Sequence, residues 1–161
     1  MAEYIKASIE IGGDITPKQL KNIMEFAEAW ELGIGWDEVE ATFENLVETI
    51  KAEDLLLCGE GRNGEFEDFE DWLIEEKVPF RRWHDNKYDI DAEVRLFNGS
   101  EDRTTLVDDN ESPLIHQSTL EKIAQVLADG EAEKAHGEID DLLFDYGSVP
   151  AVRLVVEGEA A

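Results

Sequence analysis

Cysteine is almost absent: Cys58 is the only one in 161 residues. A single thiol forbids an intramolecular disulfide, and no Cys/His spacing of the zinc-binding kind occurs. That usage points to a reducing, cytoplasmic setting. Proline is scarce as well, at four residues. No Pro/Gly-rich linker, repeat or low-complexity segment divides the chain, so 1–161 is expected to form one domain. No apolar run approaches the ~18 residues of a membrane span. The opening MAEYIKASIEI lacks the basic start and long apolar core of a signal peptide. No membrane association is expected. Positive charge is scarcest of all, with 14 Lys and Arg against 40 Asp and Glu, a net of −26. A field of that sign disfavours direct contact with nucleic acid or anionic lipid.

Apolar material is plentiful, at 42% of residues with four Trp, seven Phe and three Tyr, so a folded core is expected rather than disorder. Residues 4–11 alternate as a first strand, ended by Gly12-Gly13. Thr16-Pro17-Lys18-Gln19 is a capping box with proline at the first helical position. The helix it opens carries Leu20, Ile23, Met24, Ala27 and Trp30 on one face. Asp37 and Glu40 repeat the box spacing and predict a second helix with Val39, Phe43, Leu46, Val47 and Ile50 inward. Residues 55–58 form a short buried strand, residues 59–65 a glycine-rich loop, and 66–77 a third helix. Strands follow at 78–83, 90–97 and 103–107, separated by turn residues. Ser118 and Glu121 open a fourth helix that Gly130 closes. A short helix over 138–146 and a strand over 149–156 complete the chain. This order predicts an α+β domain: a single mixed, largely antiparallel sheet with helices packed on it.

The negative charge is unevenly placed. Residues 25–76 hold 18 acids and two bases, Lys51 and Arg62. On the second predicted helix Glu40, Glu44 and Glu48 fall at i, i+4 and i+8, and on the third Glu67, Asp71 and Glu75 do the same. Residues four apart rise about 6 Å and share nearly one face. Each set is a rail of three carboxylates whose spacing approaches the roughly 6–7 Å between successive phosphates of one DNA strand. Helix-start preference explains some of these acids, and the like-charge pairs cost only about 0.2–0.5 kcal/mol each. A solvated coat or adaptation to high salt would also raise the count, although eight Lys and twelve Ile lend salt adaptation no special support. Solubility alone needs a net charge of only about 2–8 in magnitude.

In its density of helical acids, the 25–76 region resembles the small anti-restriction and anti-CRISPR proteins that imitate nucleic acid. The resemblance is one of charge and rests on no shared motif. It implies a stoichiometric inhibitor whose carboxylates fill the phosphate-binding channel of a basic, nucleic-acid-processing partner. The expected contacts are Glu40, Glu44, Glu48, Glu67, Asp71 and Glu75, with Trp36 or Trp72 as an aromatic anchor.

Other patterns weigh less. Phe80-Arg81-Arg82-Trp83-His84 is the only basic cluster, and among so many acids its arginines are expected to form internal ion pairs. Asp89, Asp91 and Glu93 alternate and could share a face toward Mg²⁺ or Ca²⁺ in a metal-dependent enzyme. A polar outer strand face has the same appearance, and the chain lacks an EF-hand's glycine and spacing. Gly59, Gly61 and Gly64 satisfy G-x-G-x-x-G, yet the acids that follow would repel a pyrophosphate. His84, His116 and His136 are scattered, and nothing local makes Cys58 a nucleophile. No catalytic residues, metal or cofactor are expected.

Overall fold

The computed structural model describes residues 2–156. Its central element is β1 (Tyr4–Ile11), in which Ile5, Ala7, Ile9 and Ile11 are buried on one face. β1 is followed by β2 (Asp14–Ile15), α1 (Pro17–Ala29), the β3 (Gly33–Ile34) and β4 (Val39–Glu40) hairpin, α2 (Phe43–Lys51), β5 (Leu56–Arg62) and α3 (Glu67–Glu75). The rest comprises β6 (Phe80–His84), β7 (Glu93–Phe97), β8 (Asp102–Leu106), α4 (Gln117–Ala128), α5 (Ala132–Leu142) and β9 (Arg153–Leu154). Seven strands form one sheet in the order β4-β3-β5-β1-β6-β7-β8. Every pairing in it is antiparallel, and the parallel component is a separate β2–β9 ribbon. The fold is α+β, as the order of predicted elements implies.

The Thr16 capping box forms as expected. Gln19 N–H donates to Thr16 Oγ1 (3.2 Å) and Thr16 N–H to Gln19 Oε1 (2.9 Å). α1 then buries Leu20, Ile23 and Ala27 against the isoleucines of β1. α2 adds Leu46 and Ile50 to the same core, and α3 adds Phe69 and Leu73. Phe26 of α1 stacks on Phe69 at 4.9 Å, and Trp30 meets Phe66 edge-on at 5.5 Å. All three helices therefore cover one face of the sheet.

Several boundaries differ from the sequence reading, each for a local reason. α2 starts at Phe43, because Thr42 caps it by accepting from Asn45 N–H (3.1 Å). The predicted box of Asp37 and Glu40 does not form. Gly35 and Glu38 take positive φ (67° and 51°) and turn the chain into the β3–β4 hairpin instead. β5 runs through Gly59 and Gly61 to Arg62, so the expected loop is mostly strand. The turn comes only at Asn63-Gly64, where Gly64 adopts φ 89° and a Cβ would collide with the His84 ring. α4 begins at Gln117 with no side-chain cap, leaving Ser118 inside the helix. α5 begins at Ala132, well before the expected residue 138. The last strand shrinks from 149–156 to two residues.

The third helix is anchored by charge as well as by apolar packing. Glu70 and Arg82 are both fully buried. Glu70 Oε1 accepts from Arg82 Nε (3.1 Å) and Arg95 Nη1 (3.2 Å), while Oε2 accepts from Phe66 N–H (2.6 Å) at the helix start. Arg82 also reaches Glu93 (3.1 Å), and Arg95 grips Asp102 through two bonds (2.9 and 2.8 Å). The Asp102 hydrogen bonds outweigh desolvation and hold Arg95 more firmly protonated than usual. Among the described residues no buried side-chain polar atom lacks a partner. On the opposite face Arg81 bonds Glu111 (2.8 Å) and Tyr146 O (2.7 Å), and Arg103 bonds Asp141 (2.8 Å). The arginines of the basic cluster are thus spent internally, as expected.

Removing one member of a buried charge network strands the others without compensation. Glu70→Ala is expected to lower unfolding free energy by about 3–5 kcal/mol in urea titrations. Glu67→Ala, on the exposed side of the same helix, should stay within about 0.5 kcal/mol.

Candidate acidic binding surface

The α3 rail exists as predicted from spacing. Glu67, Asp71 and Glu75 are all exposed on one helix, and none enters an ion pair among the described residues. On α2 Glu44 and Glu48 are exposed, but Glu48 pairs with Lys51 at 3.0 Å. Glu40 is not on that helix. It lies in β4 opposite Gly33, because the hairpin displaces the predicted helix start. The second rail therefore has two members, one of them partly neutralised. α1 lies against both flanking helices, touching α3 through Phe26 and sharing with α2 a cleft lined by Met24 and Phe43. Its exposed Glu25 and Glu28 join the same side of the molecule, together with Lys18 and Lys21.

Neither tryptophan occupies the rails. Trp72 is half-buried against Phe26 at 5.6 Å and fills the seam between α1 and α3. Trp36 is 50% exposed in the β3–β4 turn, on the sheet face away from the helices. There it meets Trp83 edge-on at 5.8 Å, with Lys6 Nζ 4.7 Å above its ring.

The structure also groups acids in a way that spacing did not reveal. A cleft of about 970 Å³ lies beside β5, with Lys6, Trp36 and Glu38 on one side and Trp30, Glu31 and Asp68 on the other. A second cleft of about 630 Å³ shares Glu31 and Glu38 and adds Glu28 and Glu40. Helical periodicity could not show this grouping, since it joins a helix end, a hairpin and a strand edge. The readable trace is local: Trp30 and Trp36 are each followed directly by acid, Glu31 in one case and Asp37-Glu38 in the other.

The other candidates are dispersed. Asp89 and Asp91 are exposed and precede β7, whereas Glu93 is on the strand and bonded to Arg82. The three do not converge, and among the described residues no group of three His, Cys, Asp or Glu is placed to hold a metal. Cys58 lies opposite Ser8, while His84 lies opposite Ala7, so the two side chains occupy different faces of the sheet. His116 and His136 are exposed and remote from the thiol's strand. Gly59 and Gly61 sit inside β5 rather than in a phosphate-binding loop. Among the described residues no helix is long and apolar enough to cross a membrane. No family model, curated protein or solved structure matches the chain.

Burial, reinforced by the nearby Glu38 carboxylate, pushes the Cys58 thiol up to about 12. The native thiol should resist disulfide reagents at pH 8 and react at the ordinary rate once urea unfolds the chain. Native stability should also fall as pH climbs from about 9 toward 12, because the unfolded chain then releases a proton that the folded chain retains. A thiol-titration time course and alkaline unfolding curves check both.

Proposed function

We propose that this is an acidic binding protein that occupies a basic surface of a partner, of the kind that otherwise holds nucleic acid. It works by stoichiometric occupation rather than turnover, as the nucleic-acid-mimicking anti-restriction and anti-CRISPR proteins do. The observation that carries this reading is the division of charge. Arg81, Arg82, Arg95 and Arg103 are bonded inside the fold, whereas Glu67, Asp71 and Glu75 stand exposed and unpaired along α3. Their steps of about 6 Å suit Lys and Arg side chains arranged for successive phosphates. Glu44 and Glu48 of α2, with Glu25 and Glu28 of α1, extend the surface. The reading places the protein in the cytoplasm, where a lone buried thiol is ordinary.

Affinity capture from cell extract at low and high salt tests the proposal. A basic nucleic-acid-processing protein should be retained at low salt and released as ionic strength rises, because exposed charges are screened beyond about 8–10 Å near physiological salt. Changing Glu44, Glu48, Glu67 and Glu75 to Gln and Asp71 to Asn should weaken that capture at least about tenfold. The variant should keep its stability, since these side chains are exposed and the one ion pair lost, Glu48–Lys51, is a surface pair of little worth. Equal capture by the neutralised variant would falsify the assignment.

A further inference from the structure

β5 is longer than the strand beside it, and the shortfall leaves an opening in the sheet. β3 pairs with β5 only at Leu57 and Cys58, and Gly35 N–H donates to Leu56 O (2.8 Å). Carried two residues further, this register would set Leu32 opposite Gly59 and Glu31 opposite Glu60. Instead Glu31 takes φ 56°, and its N–H returns to Glu28 O (3.1 Å) at the end of α1. At the far end of β5, Arg62 exchanges backbone bonds with Glu65 across the turn (3.0 and 3.1 Å). Backbone groups alternate in direction along a strand. Those of Glu60 therefore point outward with those of Leu56, Cys58 and Arg62, yet they have no backbone partner among the described residues.

The 970 Å³ cleft lies at this gap, and its walls come from both faces of the sheet. An extended segment bridging Glu60 would send alternate side chains to opposite faces. One face offers Trp36 and Glu38 beside the Glu60 carboxylate. The other offers Trp30, Glu31 and Asp68. Each side thus combines an indole with carboxylates, a pairing suited to ammonium or guanidinium groups. An ammonium already rests there: Lys6 Nζ sits over the Trp36 ring, and among the described residues no carboxylate is within ion-pair range of it. Acidic walls exclude nucleic acid and lipid phosphate as occupants, and charge complementarity selects a basic one.

We propose that the gap beside Glu60 takes an extended basic peptide segment, which adds a short strand to β5 and places Lys or Arg side chains against Trp36 and Trp30. The inference rests on the reading of the partner as basic, and it gives that partner a strand-addition site distinct from the α3 rail.

The test uses the whole protein and a synthetic arginine peptide of about eight residues, alongside an analogue with alternate amides N-methylated, which keeps the charge and loses strand hydrogen bonding. Binding is followed by amide chemical shifts and tryptophan emission. The expected result is a shifted Glu60 amide and altered tryptophan emission. Affinity should fall at least about tenfold for the methylated analogue and for Glu60→Lys, an exposed change that sets a second ammonium opposite Lys6 and should lower the melting temperature by only about a few degrees. Equal affinity for the methylated peptide with an unmoved Glu60 amide overturns the cleft. Absence of peptide binding at millimolar concentration overturns it too. If Glu67→Gln/Asp71→Asn/Glu75→Gln abolishes peptide binding while Glu60→Lys does not, the cleft fails and the helical reading stands. If Glu60→Lys abolishes it while the triple variant still binds peptide and captured partner unchanged, the helical reading fails and the cleft stands.

Discussion

The arrangement of the molecule depends on one buried carboxylate. Glu70 receives Arg82 from β6, Arg95 from β7 and the Phe66 amide from the start of its own helix. Taking these charges from water is costly, and each partner is tolerable only because the others are present. Apolar packing of Phe69 and Leu73 is non-directional and would accept some rotation of α3 about its axis. The two oxygens of Glu70 bond three donors in set directions and do not. Fixing the inward side of α3 also fixes its outward side, and Glu67, Asp71 and Glu75 consequently line up toward solvent.

The same network bears on the surface charge. Arginine is the base suited to buried, forked hydrogen bonding, while lysine is a strongly hydrated point charge that prefers water. Four of the six arginines follow that division. Arg82 is fully buried and Arg81, Arg95 and Arg103 are at least half-covered, although Arg62 and Arg153 are exposed; Lys18, Lys21, Lys51 and Lys77 remain exposed. The helical face is left with a few exposed lysines as its local counter-charge. Glu48 has captured one of them, in an exposed pair of the sort that contributes little. The negative field of α3 thus comes from where the bases went as much as from how many acids there are.

The sequence made legible whatever a short-range signal encodes. Alternation in 4–11 marked β1, the Thr16 box marked the start of α1 to the residue, and the spacing of Glu67, Asp71 and Glu75 marked a real helical face. Competing local signals defeated the reading of residues 37–40. Asp37 and Glu40 imitate a capping box, but Thr42 caps the helix and Gly35 turns the preceding chain. The rail on α2 lost Glu40 by that error. Gly59 and Gly61 read as loop because strand pairing with β1 is non-local, and the sheet overrides low strand propensity at those positions. The cleft beside Glu60 lay furthest from view. It exists because β3 stops early, which depends on how α1 ends.

The β2–β9 ribbon has a consequence for how the chain acquires this shape. Arg153 bonds Asp14 across a separation of 139 residues, and Val155 N–H donates to Ile15 O (2.8 Å). Val152 and Val155 are buried, so the cover over Ile15 includes residues far along the chain from it. Closing so long a loop carries an entropic cost that grows with its logarithm, and contacts of this separation slow folding. The seven strands of the main sheet all lie within residues 4–106 and can pair before that cover docks. Completion of the core therefore waits on one closure between distant parts of the chain.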